Sequence, residues 1–202
     1  MLILSIDEIP GKKAKKSKVR LQGGEDLCLY TKEVNRLGLE AGDDLSESAY
    51  EDILAMILIP RAKKRAMHLL EKQDRTKQNL SDKLRESGYP MCVVEAAVSY
   101  VESYHYIDDE RYARNYIRYH QDGKSRRRIY EDLYKKGIAK DIIEIALEDE
   151  YLASEEDQII ALLEKKHYDA STADMKEKSR IYRFLLGRGF SYQTIDRILS
   201  KR

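Results

Sequence analysis

Three glycines, Gly88, Gly137 and Gly189, set the frame of this chain. Four residues before each stands a leucine: Leu84, Leu133 and Leu185. Eight before stand Leu80, Ile129 and Ile181, and one after stand Tyr89, Ile138 and Phe190. Val94, Ile143 and Ile195 follow six residues on, and Val98, Leu147 and Leu199 ten on. Six aligned columns, all apolar or glycine, mark a tandem repeat of about 50 residues. Helical spacing within each copy predicts three helices per unit, the second closed by the glycine in a left-handed turn. A unit this small buries little surface alone, so neighbours are expected to stack.

The middle copy carries the clearest helix start. Asp108 is placed to accept from the free N–H groups of the first turn, and Asp109 and Glu110 offset the positive end of the helix dipole. Tyr112, Tyr116, Ile117 and Tyr119 fall toward one side, and Arg111, Arg114 and Arg118 toward the other. In the next helix Ile129 and Leu133 point inward, while Lys124, Arg128, Glu131 and Lys135 line an outer face.

Read in order, the expected organisation is an N-terminal α/β module over 1–60 and three-helix repeats over 61–107, 108–150 and 151–202. The helices are expected near 61–73, 76–87 and 91–104, then 108–121, 125–136 and 139–149, then 154–167, 174–187 and 191–200. Pro90 suits a first-turn position. In the N-terminal module Leu2 to Ile6 reads as a strand. Pro10-Gly11 breaks it, a lysine run follows (Lys12, Lys13, Lys15, Lys16, Lys18), and two apolar runs around Gly23-Gly24 read as a hairpin. A helix from Ser46 to Leu58, capped by Ser46 or Ser48, leads to Pro60, which marks the join. The fold class is therefore mainly α: three tandem, helix-turn-helix-like units in an elongated curved array, behind a small module containing a β-hairpin. A charged fraction of 36% suits such thin repeats better than a sphere.

Net charge is +1, so the total names no partner. Local balance says more: Lys124 to Lys140 is strongly basic and Asp141 to Glu150 strongly acidic. The two cysteines, Cys28 and Cys92, lack metal spacing and fit a reduced, cytosolic protein. No apolar run approaches the ~20 residues that span a bilayer, and the first residues are too short and acidic for a signal peptide.

Chemistry is hard to place. His68, His105, His120 and His167 are scattered and share no ligand spacing with the cysteines. The phosphate-cradling glycine pattern is absent, and Gly187-Arg188-Gly189 closes a helix. Asp108-Asp109 at a helix entrance reads as capping before paired acid/base carboxylates. The expectation is a binding protein with no catalytic residues, cofactor or metal. Its candidate partner- or DNA-binding residues are Arg111, Arg114, Arg118, Lys124, Arg126, Arg127, Arg128, Lys135 and Lys136. Matching positions in the flanking repeats carry Arg75 and Lys77, and Lys178, Arg180 and Arg183. Such patches suit a regular polyanion or an acidic protein surface. The plainer alternative is a solvated helix face pairing with Glu131 and Asp132. The tyrosines, by their helical spacing, are expected to pack in the core rather than stack on bases.

Tyr106 to Ala113 (Tyr-Ile-Asp-Asp-Glu-Arg-Tyr-Ala) resembles the most recognisable signature of the RecX regulatory proteins. Leu133 to Gly137, Arg61-Ala62 with Ala66 and Leu69-Leu70, Arg75-Thr76, and Leu80 with Leu84 to Gly88 are similar to that family's repeats. Val19 to Glu25, Gly38-Leu39 and Gly42 to Leu45 resemble its leading module. Two departures are Gln73-Asp74 before Arg75, and Ser154-Glu155-Glu156 where the third repeat lacks an Asp-Asp start. The resemblance implies a modulator that binds the RecA filament on DNA, of a kind that typically inhibits its recombinase, ATPase and coprotease activities; the chain is expected to be a monomer. The resemblance also implies single- or double-stranded DNA bound weakly or through the filament, and no membrane partner. A nucleic-acid-binding protein using its helix-turn-helix-like units directly on DNA is the alternative.

Overall fold

The computed structural model describes residues 1–10 and 15–201. Gly11, Lys12 and Lys13, part of the expected break and lysine run, lie outside the described residues. The chain forms two compact units, Met1–Ile107 and a second beginning at Asp108.

In the first unit β1 (Leu2–Ile9), β2 (Lys16–Gln22) and β3 (Leu27–Tyr30) form an antiparallel sheet in that order. The expected hairpin is β2–β3, with Val19 opposite Leu27. β1 runs past Ile6 through Asp7 and Glu8, which pair with Lys18 and Ser17. That end of the strand faces water, so polar residues carry the extension. α1 (Thr31–Leu37) stops at Gly38 (φ +63). α2 (Glu47–Ile53) is capped by Ser46, whose Oγ accepts from the Ala49 N–H at 3.1 Å.

Pro60 does not mark a break. α2 continues through a π-helical turn at Leu54–Leu58 into α3 (Ile59–Leu70). In that wide turn the Ile59 N–H reaches the Leu54 carbonyl, five residues back. A proline just beyond it is tolerated near the start of a helix, where its missing donor has least effect. α4 (Lys77–Glu86) and α5 (Met91–Ser103) complete the first repeat. Pro90 stands at the N-cap of α5, and its carbonyl accepts from the Val94 N–H at 3.0 Å.

The second unit contains α6 (Asp109–His120), α7 (Arg126–Lys135) and α8 (Lys140–Glu150), then α9 (Glu155–Lys165), α10 (Met175–Gly187) and α11 (Tyr192–Lys201). All of the repeat helices expected from the sequence are thus present among the described residues. None is long and apolar enough to cross a membrane.

The three glycines have φ of +88°, +81° and +85°. Each repeats the same pair of backbone bonds. The glycine N–H donates to Arg85, Tyr134 or Leu186, and the next N–H reaches back to Leu84, Leu133 or Leu185. This is the Schellman arrangement, in which an apolar residue after the glycine meets one in the last helical turn. The aligned Leu-x3-Gly-apolar columns are its side chains.

Leu84, Leu133 and Leu185 are fully buried, as are Leu80, Ile129, Ile143 and Ile195. The column ten residues after the glycine departs. Leu147 is buried, but Val98 and Leu199 are half-buried, and the residues before those two, Ala97 and Ile198, are the buried ones. Positions three and four residues beyond the sixth share one helix face, and the nearer faces the core more squarely.

The hydrophobic residues do not merge into one core. The first repeat shares its cluster with the sheet, joining Ile3, Val19 and Leu29 to Ala62, Leu84 and Val101. The second and third repeats each hold a separate cluster. Stacking is therefore not what buries Leu133 or Leu185; three short helices do so within each copy.

Two of the glycines also make room for what precedes them. A Cβ on Gly88 would lie 2.9 Å from the Cys28 Cβ on β3. One on Gly189 would lie 2.6 Å from both the Arg128 Cβ and the Ser125 Oγ on α7. Gly123 has open space around it and no positive φ. Gly189→Ala is therefore expected to lower stability by more than the roughly 1 kcal/mol of a left-handed alanine, and Gly123→Ala to leave it nearly unchanged. Leu133→Ala is expected to cost about 2–5 kcal/mol. Urea unfolding of the three variants checks this; equal midpoints for the two glycine variants would remove the packing role of Gly189.

Candidate interaction surfaces

The second repeat concentrates most of the candidate residues. Asp108 Oδ1 accepts from the Arg111 N–H at 2.9 Å and starts α6 as expected. Asp109 is buried, and the exposed Arg111 begins a row of arginines along the helix. That row is met by the acidic end of α8. Arg114 Nη2 lies 2.9 Å from both Glu110 and Asp149, and Arg118 grips Glu150 through Nε at 2.6 Å. The hydrogen bonds that Arg114 donates to Glu110 and Asp149 raise its pKa, and that donated by Arg118 pulls the Glu150 carboxyl down. The acidic segment Asp141 to Glu150 thus supplies internal counter-charge for α6. Nothing local in the sequence links Arg114 to Asp149, because the contact closes only when α8 packs on α6.

Lys124 is not on the outer face expected for it. Its Nζ lies 2.7 Å from Asp132 Oδ2 and 2.8 Å from the Tyr116 hydroxyl, over the Tyr116 ring. The turn at Asp122-Gly123 brings it back across α6, where its methylenes cover aromatic surface. Burial alone would push the Asp132 carboxyl up. The Lys124 and Tyr116 hydrogen bonds, with the charges of Lys124 and Arg128, bring it below its ordinary 3.8.

The arginine triplet opens α7 behind Ser125, whose Oγ accepts from the Arg128 N–H at 3.2 Å. Arg127 is 82% exposed and pairs with Glu131 at 3.0 Å. Arg128 pairs with Asp132 at 3.2 Å, and Arg126 is exposed. All three rim a cleft of about 1210 Å³ where the second repeat meets the third, facing Leu186, Phe190 and Tyr192. The Ser125 N–H donates to the Arg188 carbonyl across this junction at 3.0 Å. Gln158 is buried there, donating to the Gln121 carbonyl and meeting the Tyr151 hydroxyl at 3.0 Å. Gln121, Tyr151 and Gln158 were not singled out in the sequence, since polar residues at a junction carry no periodic signal.

The other candidates are dispersed. Lys135 is exposed, and Lys136 lies over the Tyr112 and Tyr116 rings at 5.7 and 5.6 Å. In the first repeat Arg75 donates to Asn79 at 2.6 Å and Lys77 pairs with Glu102. In the third, Lys178 is exposed, Arg180 lies 3.9 Å from Glu177, and Arg183 donates to the Ser179 carbonyl at 3.3 Å.

The tyrosines do not fill the core. Of fifteen, only Tyr50 and Tyr168 are buried, and Tyr119 is 85% exposed. Leucine, isoleucine and alanine occupy the inward positions, so the larger rings lie at the flanks, where hydroxyls such as those of Tyr116 and Tyr151 meet polar side chains. Tyr112, Tyr116 and His120 form a stacked ladder along α6. No group of three or more histidine, cysteine or acidic side chains able to hold a metal occurs among the described residues.

Comparison with known proteins gives a consistent result. Profiles described as the first, second and third three-helix domains of RecX match residues 62–100, 108–147 and 154–199. A "Regulatory protein RecX" from Caldanaerobacter subterraneus is 30% identical over 201 residues, 99% of each chain. One from Vibrio campbellii is 35% identical over 140 residues, 69% of this chain and 90% of its own. The crystal structure of RecX from Lactobacillus salivarius shares 28% identity over 71% of this chain and 96% of that one, with a TM-score of 0.57. A crystal structure titled as a regulatory protein RecX covers the full length of both chains at 20% identity and a TM-score of 0.58, a likeness of fold.

The Lys124–Asp132 pair makes stability pH-dependent. Because the folded Asp132 carboxyl sits below 3.8, its contribution is complete above that value and is lost as pH falls through the lower folded value. Asp132→Asn is expected to cost about 1–3 kcal/mol near neutrality and to narrow the stability gap between about pH 7 and about pH 3. Urea titrations of both proteins at the two pH values test this, and an unchanged gap would show that the pair carries no acid sensitivity.

Proposed function

This chain belongs to the RecX family of regulatory proteins, and on that premise we propose that it binds the RecA filament on DNA and inhibits it. The observation that carries this reading is the position of Arg126, Arg127 and Arg128. They crown α7 at an open cleft, on a surface whose other arginines are largely occupied by α8. An arginine fork suits carboxylates and phosphates alike, and the filament offers both as acidic protein surface and as DNA. Tandem units raise the effective concentration of each further contact once the first is made. Regulation then needs binding energy alone, by favouring a filament state that the array fits and opposing growth beyond it.

Arg126 and Arg127 separate this role from folding, because Arg128 abuts Gly189 and pairs with Asp132. Arg126→Glu with Arg127→Glu is expected to keep the thermal midpoint and to weaken inhibition of RecA at least tenfold. The measurement is anisotropy of labelled single-stranded DNA with RecA and nucleotide, titrated with either protein. Normal inhibition by the double variant would mean that these arginines are solvated surface and that the filament contact lies elsewhere.

A further inference from the structure

The first unit contains a second open cleft, of about 1190 Å³, outside every residue so far assigned a role in binding. One wall is β2 and β3; the other is α3 with the end of α4. Cations come from both. Lys16 and Lys18 stand on β2, Arg61, Lys64, Arg65 and His68 on α3, and Arg85 on α4. The α3 group has spacing i, i+3, i+4 and i+7, a single helix face.

Three of the four carboxylates that line the cleft, Glu25, Asp26 and Glu86, are already engaged. Glu25 accepts from the Met91 N–H at 3.1 Å, at the start of α5. Asp26 lies 3.0 Å from Lys18, Glu71 3.5 Å from His68, and Glu86 2.7 Å from Lys83. Arg61 is held by Glu33. Lys16, Lys64, Arg65 and Arg85 therefore have no carboxylate partner among the described residues. The Tyr30 face is covered by Arg61 at 4.4 Å, with Lys16 at 5.8 Å from the ring. Tyr89 is half-buried, and burial pushes its hydroxyl pKa up.

We propose that this cleft binds the phosphodiester backbone of a nucleic acid, through Lys16, Lys64, Arg65 and Arg85, without reading the bases. Uncompensated cations on two facing walls fit a ligand with charge repeated along its length. A covered aromatic face gives bases nothing to stack on, so sequence indifference follows. The site stands independently of the filament reading, because its ligand is bare nucleic acid.

The test uses the full chain with Cys92→Ser, which leaves Cys28, a half-buried cleft residue, as the sole thiol. Labelled oligothymidylate, a mixed-sequence single strand and a duplex of equal length are titrated by anisotropy across a salt series. Alkylation of Cys28 by iodoacetamide is followed in parallel. The expected result is salt-dependent binding with equal affinity for the two single strands, slower Cys28 alkylation, and at least a tenfold loss in Lys64→Glu with Arg65→Glu. Loss of two phosphate contacts should also lower the salt slope by about 1.4 for single strands or about 1.8 for duplex. The paired arms show which form the cleft prefers. Lys32→Glu with Arg36→Glu, exposed on α1, changes net charge equally and should bind normally. Binding that leaves Cys28 unprotected, or that both double variants lose alike, would overturn the proposal. So would protection of Cys28 by polyglutamate but not by DNA, which would make the cleft a seat for an acidic protein segment.

Discussion

Each repeat depends on one backbone event, the left-handed glycine that closes its second helix. With φ near +85° the chain reverses in two residues, and two otherwise unpaired helix-end carbonyls receive donors. The reversal presses Tyr89, Ile138 or Phe190 toward the leucine five residues earlier, and the third helix then starts in register over the same cluster. Glycine is required for a second reason at two of the three sites. Cys28 on β3 and the Ser125–Arg128 turn on α7 occupy the space a side chain would fill at Gly88 and Gly189. The same residue thus ends a helix and seats the element that precedes its repeat.

This construction makes the cores local and the junctions polar. Apolar clusters are confined to single repeats in the second unit, so the second and third copies meet through Ser125, Gln121, Tyr151 and Gln158. A buried glutamine with both ends engaged specifies one geometry, because any shift leaves polar atoms without partners. The same economy governs charge. In a chain with 36% charged residues and a net charge of +1, several of the ions are matched by partners on neighbouring elements. Arg114 and Arg118 of α6 are taken up by α8, and three carboxylates of the first-unit cleft by Lys18, Lys83 and a helix start. Where cations without a carboxylate partner gather in one cleft, an anionic partner is favoured.

The periodic part of the structure was legible in the sequence. The glycine-anchored columns located the repeat helices because burial and capping act over a few residues. Asp108 as a cap, the β2–β3 hairpin and the inward Ile129 and Leu133 follow from equally local rules. What escaped depends on contacts distant in sequence or on competition between residues. The π turn before Pro60 follows from α2 and α3 continuing as one helical path. Lys124 turned inward because Asp132 and Tyr116 lie within reach once α7 is placed. The tyrosines share the helical period of the core but lose the inward positions to smaller residues, so period alone assigned them to the wrong layer. The candidate arginines were found as a cluster, but their carboxylate partners on α8 were not, and those partners distinguish an occupied arginine from an exposed one.

Fold and recognition therefore follow different rules along this chain. The apolar columns recur almost unchanged in three copies, since each must solve the same closure problem. The cations at matching positions do not: Arg75 and Lys77 are tied to Asn79 and Glu102 and Arg127 to Glu131, whereas Arg126 and Lys178 are exposed. A repeat protein whose units share a scaffold but differ in free charge presents a graded surface and not three equivalent contacts. The difference between the copies arises from charge partners such as Glu102 on α5 and Glu131 on α7, while the glycine closure is common to all three.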